Sequence, residues 1–220
     1  MRVSVVEDGE REFREAIARE RIDRRHGAKA FAAACAAGDV EVFAGAVDFL
    51  DERVVDGWRL AMMQVARLPA VSAEIRAAFL GVWIESKMLP LRIGDRRVLA
   101  NALRVLLPCD YRGEPMRLYR GANWPERCHR RYGFSWTRDR AMAQRFAQPH
   151  AGIFEGDDVV IGARAREIAR QWGGGVVLET LVPAEAVLLV REVEGYYDEG
   201  EIVVDPFKLG PVAVAERIRG

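Results

Sequence analysis

Hydrophobic residues recur every three or four positions through residues 10–107, which is the spacing of amphipathic α-helices. Asp39, Ser72 and Asp95 are predicted N-caps, because their side chains can accept a hydrogen bond from a backbone N–H of the first turn. Pro90 is expected to close the helix that Ser72 opens. This part of the chain therefore predicts a helical bundle. Its predicted apolar faces comprise Phe13, Ile17, Phe31, Ala34, Cys35, Val42, Val47, Leu50, Trp58, Met62, Val65, Ile75, Phe79, Val82, Trp83, Val98, Leu99, Leu103 and Leu106.

Beyond Pro108 the pattern changes to short β-rich runs separated by glycine-rich turns. Runs of strands around one or two helices are typical of an α+β fold with mostly antiparallel pairing. We therefore expect two domains, a helical one at 1–108 and a β-rich one at 109–220. The predicted strands are 116–119, 133–135, 176–182, 186–190 and 202–204, and one helix is predicted at 138–147.

Composition excludes several classes of protein. Lys+Arg and Asp+Glu are both 33, so the net charge is zero and no overall basic charge favours binding to nucleic acid or membranes. No apolar run approaches the roughly 20 residues that cross a bilayer, and acidic residues come too early for a secretory signal. We expect a cytoplasmic protein. Cys35, Cys109 and Cys128 are too widely spaced for a disulfide scaffold or a zinc site.

The charges nevertheless separate locally within the second half. Residues 112–145 contain nine arginines and three acidic residues. Residues 192–205 contain a cluster of six acidic residues and no lysine or arginine. A site lined by the arginine-rich stretch on one side and by the acidic cluster on the other would suit a substrate that is anionic at one end and becomes cationic in the transition state. Solvated faces of ordinary strands would produce the same pattern. The cluster consists of Glu192, Glu194, Asp198, Glu199, Glu201 and Asp205.

Three short motifs lie on or beside predicted strands: Leu-Tyr-Arg-Gly at 118–121, Gly-Phe-Ser-Trp-Thr at 133–137 and Tyr-Tyr-Asp-Glu-Gly-Glu-Ile-Val-Val at 196–204. In order and spacing they resemble the arginine-serine-glutamate class of ADP-ribosyltransferases, enzymes that use NAD. The resemblance covers residues 109–207. It implies a split β-sandwich of two small antiparallel sheets with NAD in the cleft, and it requires no metal.

The resemblance implies a role for each residue of the first two motifs. Arg120, followed by Gly121, matches the arginine that contacts the NAD pyrophosphate, since a guanidinium can form two parallel hydrogen bonds to phosphate. Ser135 matches the serine that orients the catalytic glutamate. Trp136 and Thr137 occupy the neighbouring positions of the nicotinamide-ribose pocket, and Trp136 stands where the family usually has a small polar residue.

The third motif supplies carboxylates. Cleavage of the nicotinamide-ribose bond passes through an oxocarbenium-like state, which a nearby carboxylate stabilises. By the resemblance Glu201 has this role, and Glu199 orients or activates the acceptor. Considered alone, Asp198 to Glu201 is also typical of an acidic hairpin turn in which Gly200 provides the permissive backbone.

The leading hypothesis is a mono-ADP-ribosyltransferase that cleaves NAD and modifies a macromolecule. The Glu-x-Glu form favours a protein arginine as the acceptor, and a nucleic-acid base is the second choice. A bacterial or phage toxin or effector, held by an antitoxin or another inhibitor partner, fits this activity. The alternatives are an NAD glycohydrolase that depletes NAD and a non-catalytic interaction module.

Overall fold

The computed structural model describes residues 3–54, 56–86, 88–109, 111–148, 174–191 and 200–218, with side chains from residue 11 onward. The fold is α+β and divides into two compact units, residues 1–108 and 109–220. Eight helices and one antiparallel sheet of six strands make up the regular structure of the described residues. None of the helices in these ranges is both long enough and apolar enough to cross a bilayer.

Six helices are described in the first unit, and three of them are capped as predicted. Asp39 accepts a hydrogen bond from Val42 N at 3.0 Å, and Ser72 accepts one from Ile75 N at 3.3 Å. Asp95 accepts hydrogen bonds from two backbone N–H groups of its own first turn. The helices are α1 (Val3–Ala37), α2 (Val40–Glu52), α3 (Gly57–Val65), α4 (Ala73–Glu85), α5 (Leu89–Ile93) and α6 (Arg96–Leu106).

The core of this unit is aromatic. The ring of Phe31 contacts Phe43 and Trp58, with centroids 5.1 and 5.3 Å apart, and all three side chains are buried. The indole Nε1 of Trp58 donates to Asp51 at 2.7 Å, which satisfies the polar atom of an otherwise apolar side chain. The C-terminal half of α1 is therefore anchored to α2 and α3.

Three predictions for this unit were wrong. Phe13, predicted to lie on an apolar face, is 67% exposed near the N-terminal end of the 35-residue helix α1. Val42 is also exposed, because the neighbouring Phe43 fills the core instead. Pro90 does not close a helix: α4 ends at Glu85, and Pro90 lies in the first turn of α5, where proline is tolerated since that N–H has no intrahelical partner.

The second unit is built on the sheet, whose strand order is β4-β5-β2-β1-β3-β6 with every neighbour antiparallel. In the part of this unit that the structure describes, two short α-helices accompany the sheet, α7 (Trp124–Cys128) and α8 (Arg140–Ala147). The strands are β1 (Met116–Asn123), β2 (Ser135–Thr137), β3 (Gly175–Val182), β4 (Val187–Val190), β5 (Glu201–Val204) and β6 (Val212–Ile218).

The sheet differs from the expectation in three ways. Strand β2 lies two residues later than predicted, because Ser135 to Thr137 are the residues that pair with β5. The edge strand β6 was not predicted. The resemblance implies two small sheets, whereas the described strands form one, since Tyr119 of β1 pairs with Thr137 of β2. That residue pair alone joins two three-stranded halves, β4-β5-β2 and β1-β3-β6.

Helix α8 packs directly onto β1 and β3 through small residues. Ala143 and Ala147 form a buried cluster with Val177 of β3. A Cβ on Gly121 would come within 3.0 Å of the α8 backbone, and so would one on Gly175. Glycine at both positions therefore allows the helix backbone to contact the strands. Phe146 is 43% exposed because α8 turns its alanines toward the sheet.

We expect Gly121→Ala to destabilise the protein by about 3 kcal/mol, since the added methyl group meets rigid helix backbone. Urea unfolding followed by circular dichroism and tryptophan fluorescence measures the change. The control is Gly45→Ala in α2, where nothing lies within 4 Å of the new methyl group; alanine there should be neutral or stabilise by up to about 1 kcal/mol. A Gly121→Ala variant as stable as the wild type would contradict the close contact between α8 and β1.

The three cysteines should react in a fixed order. Burial raises the pKa of the Cys35 thiol to about 12, so this thiol stays protonated, and it is also inaccessible. Cys128 is exposed and Cys109 is half-buried. Titration of the native protein with a thiol reagent near pH 8 should label Cys128 first and Cys35 only after urea is added. A Cys128→Ser variant should lose the fast phase, and rapid labelling of Cys35 in the native protein would contradict its burial.

Candidate functional site

The second and third motifs meet on adjacent strands. Thr137 pairs with Glu201, and Ser135 pairs with Val203. Because side chains alternate along a strand, Ser135, Thr137 and Glu201 lie on one face of the sheet. Ser135 and Glu201 are half-buried diagonal neighbours, roughly 7 Å apart at Cα, and Thr137 is buried between them. A hydroxyl and a carboxylate 66 residues apart in sequence are thus brought together.

Gly200 directly precedes β5, the strand that begins with Glu201. Its φ of 54° is in the left-handed region, which glycine adopts without strain. This confirms that position 200 uses the backbone freedom of glycine. The other candidate carboxylate, Glu199, lies outside the described residues, as does residue range 196–198 of the same motif.

Arg120 lies at the junction of the two halves of the sheet and forms three hydrogen bonds. Its Nε donates to Glu126 Oε1 at 2.8 Å, its Nη2 to Glu126 Oε2 at 3.4 Å, and its Nη1 to the backbone carbonyl of Ser135 at 2.8 Å. The side chains of Arg120 and Glu126 are 22% and 15% exposed. Three of the five guanidinium N–H groups are therefore used to connect β1, α7 and β2.

The backbone at Gly133 leaves room for this ion pair and also binds it. A Cβ on Gly133 would come within 3.0 Å of the Arg120 guanidinium, so glycine leaves the space that this group fills. Gly133 N also donates to Glu126 Oε1 at 3.0 Å. By strand alternation Arg120 shares a side of β1 with the buried Leu118, whereas Tyr119 is the residue paired with Thr137.

The remaining predicted site residues contact the protein itself. Trp136 is 2% exposed, lies in the core of the unit, and donates from Nε1 to Gly133 O at 3.1 Å. Thr137 Oγ1 accepts a hydrogen bond from Asp139 N at 3.0 Å, just before α8. The position above Gly121 is filled by the α8 backbone. These residues therefore contribute to the packing around β2 and β5, the strands that contain Ser135 and Glu201.

Comparisons of the chain with family models, with curated proteins and with solved structures gave no significant match. Within the described residues, the three motifs are related by strand pairing: Tyr119 pairs with Thr137, and Thr137 pairs with Glu201. Thr137 is therefore the common neighbour of the first and third motifs.

Sequence reasoning missed two charged residues of the site. Glu126 holds Arg120, and its only signal is that it is one of few acidic residues in an arginine-rich stretch. Arg191 N donates to Glu201 O at 3.0 Å, so Arg191 stands opposite Glu201 at the end of the β4–β5 ladder. The sequence signal for Arg191 is that it directly follows a predicted apolar strand.

Some residues of the arginine-rich stretch and of the acidic cluster bind other residues of the protein. Arg117 pairs with Glu179, and Arg140 pairs with Glu216 on β6. Hydrogen bonds to Glu216 from Gln144 and, to a smaller extent, from Arg140 hold the pKa of its carboxyl below the usual value. In the acidic cluster, Asp205 is fully buried and accepts a hydrogen bond from Phe207 N, as expected of a structural turn residue. No group of three or more potential metal ligands occurs among the described residues.

Gly200→Ala should destabilise the protein by roughly 1 to 2 kcal/mol, which is the cost of a left-handed backbone for a residue with a Cβ. Steric collision contributes little, because the new methyl group would lie 3.6 Å from Thr137 Oγ1. Gly200→Asn is the matched control, since asparagine adopts this conformation more readily, and it should be the more stable variant. Urea unfolding of both variants tests this order, and equal stability of Gly200→Ala and wild type would refute the left-handed conformation.

Proposed function

We propose that the protein is a mono-ADP-ribosyltransferase that cleaves NAD and transfers ADP-ribose to a macromolecular acceptor. The observation that carries the proposal is the register between β2 and β5, in which Ser135 and Glu201 share one face on adjacent strands. The guanidinium of Arg120 is hydrogen-bonded to the backbone of that same Ser135. The Arg120 side chain lies on the opposite face of β1 from Tyr119, the residue paired with Thr137, so the first motif reaches this region through the Ser135 backbone.

The chemistry follows from these groups. The bond between ribose C1′ and the nicotinamide nitrogen breaks, and its electron pair leaves with nicotinamide. Positive charge then develops on the ribose, where the Glu201 carboxylate stabilises it and the Ser135 hydroxyl orients that carboxylate. The lone pair of the acceptor forms the new bond at C1′, and the acceptor loses a proton. Glu199 is proposed to orient the acceptor and to assist that proton loss.

The fold proposed for the second unit is a split β-sandwich. Its support is the weak joint in the sheet: two three-stranded halves are connected by the single pair of Tyr119 with Thr137. A joint of one residue pair allows the halves to diverge and form a cleft. In this proposal NAD occupies that cleft.

For the acceptor we propose a protein arginine, with a nucleic-acid base as the second choice. Glu199-Gly200-Glu201 has the two-carboxylate form of the motif. A carboxylate ahead of the catalytic one suits a guanidinium acceptor, because the two form charge-assisted hydrogen bonds.

Nicotinamide release from NAD by the purified chain tests this function. Glu201→Gln should lower the rate about 10²- to 10³-fold, because the neutral amide cannot stabilise the oxocarbenium charge. Glu185→Gln is the matched control, since Glu185 is an exposed carboxylate of the same unit, and it should keep the wild-type rate. Release that persists in Glu201→Gln, or no release by the wild type with any acceptor, would refute the catalytic assignment.

A second arm uses NAD labelled in its ADP-ribose part, with a cell lysate as the acceptor. Label that enters protein and is removed by hydroxylamine at the rate of arginine conjugates would support the first choice of acceptor. Label in nucleic acid would support the second. Free ADP-ribose as the sole product would instead identify an NAD glycohydrolase.

A further inference from the structure

We infer that Glu126 is a positioning residue of the site and acts on catalysis through Arg120. This inference rests on the proposed function and deepens it. Glu126 does not share the face of the sheet that carries Ser135 and Glu201. Its carboxylate instead binds the guanidinium that is hydrogen-bonded to the Ser135 backbone.

The first step of the argument is the geometry of the ion pair. Glu126 accepts from two nitrogens of Arg120, at 2.8 and 3.4 Å, which fixes both the position and the plane of the guanidinium. Nη1 is thereby directed at the Ser135 carbonyl, 2.8 Å away. A lysine or an unpaired arginine would not be held in one orientation in this way.

The second step is the backbone that Glu126 holds directly. Glu126 Oε1 also accepts from Gly133 N at 3.0 Å, so one oxygen binds both the arginine and the chain leading into β2. Glu126 is itself held at the start of α7, where its backbone N donates to the Asn123 side chain at 2.8 Å. The carboxylate therefore ties β1 and α7 to the residues just before Ser135.

The third step is the weakness of the alternative connection. Only the pair of Tyr119 with Thr137 joins β1 to β2 through the backbone among the described residues. A second tie between β1 and β2 therefore adds to the positioning of Ser135 and, through the ladder of β2 with β5, to that of Glu201. The Glu126–Arg120 pair, with exposures of 15% and 22%, provides that tie in a partly water-excluded environment.

The test is the kinetics of nicotinamide release by the full chain, with NAD varied to separate kcat from KM. Glu126→Ala should lower kcat about tenfold or more, because small misplacements of catalytic groups cost large factors in rate. KM should change far less, since in this proposal Glu126 acts on the position of β2 and not on the substrate. Glu126→Gln keeps an acceptor oxygen for Arg120 and Gly133, so its kcat should be intermediate. Glu185→Gln is the matched control and should keep both constants.

A double-mutant cycle separates positioning through Arg120 from a general structural effect. In an Arg120→Ala background, Glu126→Ala should lower kcat by a clearly smaller factor than in the wild type, because only its direct bond with Gly133 N remains to be lost. Urea unfolding of each variant verifies that the assayed protein is folded, and Glu126→Gln serves if Glu126→Ala does not fold.

Two outcomes would overturn the inference while leaving the proposed function intact. One is wild-type kcat in both Glu126 variants beside an inactive Glu201→Gln. The other is full independence of the Glu126 and Arg120 effects on kcat. Failure of the wild type to cleave NAD would overturn the proposed function and this inference together.

Discussion

The structure of the second unit depends on how β1 is tied to β2. One backbone pair, Tyr119 with Thr137, makes the two three-stranded halves a single sheet. The guanidinium of Arg120 supplies a further link, since it joins Glu126 to the carbonyl of Ser135. A charge-assisted bond in a partly buried place is stronger than a neutral one, so this link adds to the single backbone pair between β1 and β2.

Close packing of backbone on backbone supports the same region from the other side. Gly121 and Gly175 let α8 contact β1 and β3, and the alanines of α8 fill the space that remains. Thr137 begins the connection to that helix, because its hydroxyl accepts from Asp139 N. Asp139 then caps α8. The strand with the candidate serine is thus tied to a helix that lies against the neighbouring strands.

Features that depend on neighbours in sequence were predictable. The caps at Asp39, Ser72 and Asp95 form as expected, because the donor and acceptor of each lie within three residues. The exposure of Phe13 was not predictable, since periodicity shows which face of a helix is apolar but not how far its partners extend. The edge strand β6 (Val212–Ile218) was missed for a related reason: it exists through its pairing with β3.

Local patterns were enough to predict a chain that is first helical and then β-rich, and they singled out Arg120, Ser135 and Glu201 as residues of interest. The pairing of Thr137 with Glu201 and the ion pair of Arg120 with Glu126 exist only in the folded protein. The physical reason is that strand register and ion pairing arise between segments distant in sequence. A shift of one residue would reverse every side chain of a strand, and no local pattern records which register is adopted.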